Sequence, residues 1–244
     1  MPAKIRRWVP PLLWLLLFLL AVYRFEWIQS AFSGVFVEKQ ALRSRAPLSY
    51  YAWQHVVLVF VSTGFSLVLG ISLGLLTHFR PFREFRTILL QTATFFQTLP
   101  SVAILALTVP LLGYGQTPVV IALVFYGLLP ILRNLLEGLD AVPEDVRTAA
   151  AGMGMTPFQC LYNVEWPLAL PAVIAGVKTS VIINVSAATI GAAVGAGGLG
   201  ILIVNGIRTM DIVMIVKGAL PVSLLALLLN SLFSLSDRRE FRSK

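Results

Sequence analysis

Gly195, Gly197 and Gly200 spell G-x-G-x-x-G, the spacing that lets a backbone approach a dinucleotide pyrophosphate. That chemistry needs the glycines after a strand, opening a helix of a βαβ unit. Here they follow an apolar helical run, so a turn or re-entrant segment is the expectation. His55, His78 and Cys160 share no metal-ligand spacing. They read as an interfacial histidine, a loop histidine and a connector cysteine. No Asp or Glu lies inside any long apolar run, which leaves no catalytic carboxylate, metal ligand or proton relay there. What the runs do contain is neutral polarity: Gln91, Thr94, Gln97, Thr98 and Ser101 around Pro100, then Ser180, Asn184, Ser186 and Thr189. Such groups either bond between helices or line a path for a polar solute. Gln97 facing Asn184 is the expected pair. Phe95, Phe96, Phe125 and Tyr126 are suited either to packing or to offering cation–π faces to a quaternary ammonium.

The solvent for these groups is lipid. The chain has 244 residues, 57% hydrophobic and 12% charged, where soluble domains carry about 25% charge. Its net charge of +8 is dispersed in short clusters between apolar runs, which argues against a nucleic-acid groove. One cysteine excludes an internal disulfide. Spans of about 20 apolar residues are expected at Trp8–Tyr23, Val56–Thr77, Thr87–Leu112, Thr117–Leu132, Leu168–Val194 and Ile212–Leu235. The first resembles a signal peptide in its basic start, but "AVYRFEW" offers no small-residue cleavage site, so a retained anchor is expected. Residues 1–50 then form an anchor and outer loop, 51–236 the membrane domain, and 237–244 a tail.

Six spans put both termini on one side. With the N-terminus inside, 12 basic residues lie inside: Lys4, Arg6, Arg7, Arg80, Arg83, Arg86, Arg133, Arg147, Arg238, Arg239, Arg242 and Lys244. Five lie outside: Arg24, Lys39, Arg43, Arg45 and Arg208. The excess predicts both termini in the cytoplasm. Lys178 and Lys217, within or near spans, are expected to snorkel to the inner and outer faces respectively. Gly70/Gly74 and Gly191/Gly195 form G-x-x-x-G pairs, suited to close helix packing within the chain or across a dimer.

The fourth and fifth spans are separated by residues 137–167, placed in the cytoplasm by this topology. Pro143 suits a first helical position, and Glu144 and Asp145 favour a helix N-terminus. Val146, Ala149, Ala150 and Met153 make one apolar face. Gly152 and Gly154 are candidates to end that helix left-handed. Thr156, Pro157 and Gln159 then spell a capping box with a first-turn proline. A helix–turn–helix knob results, either resting on the bilayer or entering a partner's groove.

This segment resembles the cytoplasmic signature of binding-protein-dependent ATP-binding-cassette importer permeases. Ala149 and Ala150 match its paired alanines, Gly154 its glycine, and Val164-Glu165-Trp166-Pro167 its ending. Thr148 stands where a glutamate is usual and Trp166 where a leucine is; Glu144 or Asp145 is placed to substitute for the missing acid. "QTLPSVAILAL" (97–107), "YGLLPILRN" (126–134), "GMGMT" (152–156) and "VKTSVIINVSAATIGAAVGAGGLG" (177–200) are similar to the branch for glycine betaine, choline, carnitine and related osmoprotectants. Methionine and other amino-acid permeases share part of this flavour. The resemblance implies an all-α polytopic membrane protein of the MetI-like type I importer permease fold, without catalytic residues or metal. It implies a coupling loop carried by Thr148, Ala149, Ala150, Gly152, Gly154, Thr156, Pro157 and Pro167. Gln97, Thr98, Pro100, Asn184, Ser186 and Thr189 are the candidate translocation path. Implied partners are separate ATPase subunits holding ATP and Mg, a second permease, an external or periplasmic binding protein and lipid, in a bacterial cytoplasmic membrane. No G-x-x-x-x-G-K-[ST] loop is present, in keeping with an ATPase elsewhere. The rival class is a self-contained secondary transporter or membrane enzyme, and it lacks the ionisable groups in the spans that it would need.

Overall fold

The computed structural model describes residues 3–31 and 46–240. These residues are helical, in eleven α-helices: α1 (Ala3–Tyr23), α2 (Phe25–Ala31), α3 (Leu48–His78), α4 (Phe85–Thr98), α5 (Ser101–Leu112), α6 (Gln116–Asp140), α7 (Glu144–Gly152), α8 (Pro157–Cys160), α9 (Trp166–Ala187), α10 (Gly200–Thr209) and α11 (Ile212–Glu240). A π-helical turn, Leu161–Glu165, joins α8 to α9, and a 3₁₀ segment, Ala188–Val194, extends α9. Most of the outer loop expected over 24–50 lies outside the described residues, as does the end of the tail. Within that stretch α2 is an additional short helix and α3 begins earlier than expected.

Among the described residues, four helical stretches are long and apolar enough to cross a membrane: Leu48–His78, Gln116–Asp140, Pro157–Val194 and Ile212–Leu235. Arg7–Tyr23 is apolar but shorter. The expected third span is not one rod. It is α4 and α5, bent by 97° at Leu99–Pro100. The residue before a proline is pushed out of the α region, and Leu99 is extended, with ψ 136°. Tyr126 on α6 fixes the bend by donating its hydroxyl to the Leu99 carbonyl.

The central helix α6 packs against α3, α4, α5 and α9, and α1 lies along α11. One apolar core includes Val59, Leu123, Val185 and Leu199, and a second, nearer the knob, includes Leu135, Leu139, Leu161 and Val173. The Gly70/Gly74 pair serves this packing inside the chain. A Cβ at Gly74 would stand 2.6 Å from Leu135 of α6, and one at Gly70 2.9 Å from Ile131. The 195–200 glycines form a turn: Gly195, Gly197 and Gly198 are left-handed and Gly200 opens α10, a helix the sequence reading did not anticipate. No strand precedes them.

Candidate functional site

The knob between α6 and α9 is built by local chemistry. Pro143 precedes α7, whose first turn carries Glu144 and Asp145. Ala150 is buried beneath it, while Thr148 and Ala149 face outward. The helix closes by a paired capping motif: Gly154 N–H donates to Ala151 O at 2.9 Å and Met155 N–H to Ala150 O at 3.2 Å. Gly154 is the left-handed residue, φ 81°, and a Cβ there would meet nothing within 4 Å. The demand for glycine is therefore conformational rather than steric crowding. Gly152 does not share this role; it is the last residue of α7 with no positive φ. Thr156 then caps α8 with Pro157 at its start. Its hydroxyl accepts from Gln159 N–H at 3.3 Å, and Gln159 Oε1 accepts from Thr156 N–H at 2.8 Å. On the tip, Met153, Phe158 and Tyr162 are 70%, 68% and 68% exposed, a concentration of apolar surface on an otherwise polar element.

Behind the knob sits a cluster that sequence reading missed. Glu165, only 5% exposed, closes the π-helical turn. Arg147 Nε of α7 donates to its Oε1 at 2.7 Å, and His78 Nε2 at the end of α3 lies 2.8 Å from its Oε2. Arg147 also donates to Leu139 O of α6 at 2.6 Å and pairs with Glu144 at 3.3 Å. Partial burial works to lower the Arg147 pKa, but its bonds to Glu165 and Glu144 prevail and hold it above its ordinary value. His78 is thus no loop histidine, and Glu144 spends its charge inside the knob. One signal was available: an acid at the mouth of the apolar run "WPLALP" must find partners when it is buried. Beside this cluster, Arg86 of α4 makes a two-pronged pair with Asp140, with Nη1 to Oδ1 at 2.9 Å.

The candidate path residues fall in two separate places. Asn184 is fully buried among α3, α6 and α9, and its Nδ2 donates to Thr63 Oγ1 at 3.0 Å. Gln97 turns instead to the Tyr126 carbonyl at 3.5 Å. The expected Gln97–Asn184 pair does not form: Gln97 donates to α6 and Asn184 to α3. Thr98 bonds back to Phe95 O, Pro100 opens α5, and Thr189 bonds Ser186 O beyond the end of α9. An open groove of about 500 Å³ runs along α4, lined by Thr87, Gln91, Thr94 and Thr98 at helical spacing, with Leu90, Phe95 and the exposed Arg133 of α6. Phe96 stacks on Phe125 with centroids 4.2 Å apart, so these two rings serve packing. His55 is buried rather than interfacial, 3.0 Å from Val185 O. Lys178 reaches Ser234 at 3.2 Å, and Lys217 lies over the Phe25 ring at 5.5 Å.

The structure is a helical bundle with a capped knob between two of its spans. The pattern described as "Binding-protein-dependent transport system inner membrane component" matches residues 66–242, and the chain belongs to that family. It is 40% identical over 188 residues to the osmoprotectant import permease protein OsmW of Salmonella typhimurium, covering 75% of this chain and 86% of that one. It is 34% identical over 193 residues to the glycine betaine/carnitine/choline transport system permease protein OpuCB of Bacillus subtilis, covering 79% and 88%. Its fold is that of the inward-facing MetNI methionine ABC transporter: TM-score 0.65 at 24% identity, covering 80% of this chain and 95% of that one.

Proposed function

We propose that this chain is the permease subunit of an ATP-driven importer of glycine betaine or a related quaternary ammonium osmoprotectant. The likeness to OsmW across three quarters of the chain carries this reading. It favours the osmoprotectant branch over the methionine branch, where only the fold is alike. Residues 51–236 act as the transport domain, after an anchor and outer loop (1–50) and before a cytoplasmic tail (237–244). The 137–167 segment couples it to a separate ATPase, with Met153, Phe158 and Tyr162 entering a groove on that partner. Thr148, Ala149, Gly152, Gly154, Thr156, Pro157 and Pro167 shape or border the knob, and Ala150 seats it. ATP and Mg are held by the ATPase and not by this chain. A second permease, identical or related, completes the pathway, and an external binding protein delivers solute.

ATP closing the ATPase pair draws two knobs together and rocks the bundles from inward- to outward-facing. The α4 groove, with Thr98 and the Pro100 bend, supports the reading that this face lines the path, with Gln97 behind it. Asn184, Ser186 and Thr189 belong to the path only in so far as α9 moves with it. The 12-to-5 excess of basic residues supports both termini in the cytoplasm. In a Cys160→Ser background, a cysteine at Ser44 labels with an impermeant thiol reagent in intact cells and one at Ser243 does not; the reverse pattern inverts the map. The functional test is uptake by proteoliposomes holding the permease, its ATPase and its binding protein. Glycine betaine uptake requiring ATP and binding protein is expected. Methionine uptake without betaine uptake moves the chain to the other branch.

A further inference from the structure

Glu165 stands where four elements meet. It closes the turn into α9, its two oxygens engage the end of α3 and the middle of α7, and Arg147 carries the connection to the last turn of α6. His78 and Glu165 are 87 residues apart in sequence, so nothing in the chain's connectivity makes α3 follow the knob. The covalent link from knob to α9 is a compliant one. It runs through the π-helical turn Leu161–Glu165, and Pro167, two residues on, has no N–H to donate. A load applied at the knob tip would be absorbed by that turn unless something braced it. The carboxylate is desolvated, both oxygens are engaged, and one cationic partner is always charged. Removing a partner from such an arrangement leaves a buried charge without its counter-charge. The neighbouring Arg86–Asp140 pair ties α4 to the end of α6 beside the same cluster.

We infer that Glu165 is a positioning residue for transport. Through Arg147 and His78 it clamps the knob to α3, α6 and α9, so that these helices move with the knob as one body. This rests on the reading that the ATPase docks on the knob, and it adds which side chain makes the docked knob move the spans. Glu165 touches neither solute nor nucleotide; it acts on the geometry of the joint. Met153, Phe158 and Tyr162 are exposed and make none of the cluster's hydrogen bonds, so docking and clamping are separable.

The test compares native permease with Glu165→Gln and His78→Gln, each reconstituted with its ATPase and binding protein. Glutamine keeps the shape and one hydrogen bond but loses the charge. Glu165→Gln is expected to keep the ATPase bound in native ratio and its hydrolysis within about twofold, while solute moved per ATP falls at least tenfold. His78→Gln, which leaves Arg147–Glu165 intact, falls less, by about threefold. Spin labels on cysteines at Thr148 (α7) and Leu76 (α3), both exposed, in the Cys160→Ser background, report the joint directly. The distance distribution is narrow in the native protein and broad in Glu165→Gln. Unchanged transport per ATP with a narrow distribution in both variants overturns the clamp. If Glu165→Gln does not accumulate, His78→Gln decides by the same two measurements. The docking reading fails in a different way: Phe158→Glu would then leave the ATPase bound.

Discussion

Where the knob meets the bundle the chain is tied by charge, and within the spans by neutral groups. Glu165, Arg147 and His78 hold the first junction with every carboxylate oxygen engaged. At the second, Asn184, Thr63, Ser66 and Ser180 converge on Gly127 of α6, where a Cβ would stand 2.5 Å from Ser180 Oγ and 2.7 Å from Ser66 Oγ. Here Ser66 donates to the Val124 carbonyl at 3.0 Å and Asn184 to Thr63, while Ser180 Oγ and Asn184 Oδ1 have no partner among the described residues. The contrast follows from solvent. Glu165 is buried at the start of α9 and finds its partners on two other helices, Arg147 of α7 and His78 at the end of α3. Within the spans a full charge costs about 3 kcal/mol, while neutral hydroxyls and amides join helices at lower cost. The first junction is saturated, and the second has acceptor and donor capacity to spare.

Placing a charge in the neutral junction breaks the comparison most severely. Asn184→Asp puts a carboxylate where no cation faces it, and the expected penalty is about 3 kcal/mol. The variant should lose most of its monodisperse protein in mild detergent at pH 8, with a lowered unfolding temperature by size-exclusion after heating. An unfolding temperature equal to native at pH 8 would show that the junction is already hydrated or paired with a cation.

The two regions also differed in how far sequence revealed them. The knob was legible because its determinants are local: Gly154, Thr156, Pro157 and Gln159 act over one turn each, and the capping box formed as read. The spans were legible as apolar runs, though not the 97° break, since a proline inside an apolar run is compatible with a kink of any size. The Glu165 cluster and the Asn184–Thr63 bond join residues 87 and 121 positions apart. No periodicity encodes such pairs. Gln97 and Asn184 looked like partners because both are amides in spans, and the orientation of each was decided by α6, which separates them. The partner of His78 is likewise hidden from a sequence reading, 87 positions along the chain.

The knob offers the gentler contrast, because its two critical residues are strained or satisfied in different ways. Gly154 sits at φ 81° with open space around it, so Gly154→Val forces a β-branched residue into the left-handed region without a clash to blame. The spans lie elsewhere and should insert normally, yet the turn between α7 and α8 must rearrange, and the exposed Met153 and Phe158 lose their relation to each other. Uptake should fall to background, with the ATPase released on purification or hydrolysing ATP without transport. Thr156→Ala removes only the cap acceptor for Gln159 N–H, a loss of about 0.5–2 kcal/mol, in a helix that Pro157 still starts. Its uptake should be reduced two- to tenfold with the ATPase still bound. The ordering is informative because both variants change the knob and neither touches the Glu165 cluster. If Thr156→Ala matches Gly154→Val, the short α8 rather than the turn holds the docking surface. If Gly154→Val transports normally while well expressed, the knob is a connector, and the load that drives the bundle enters elsewhere.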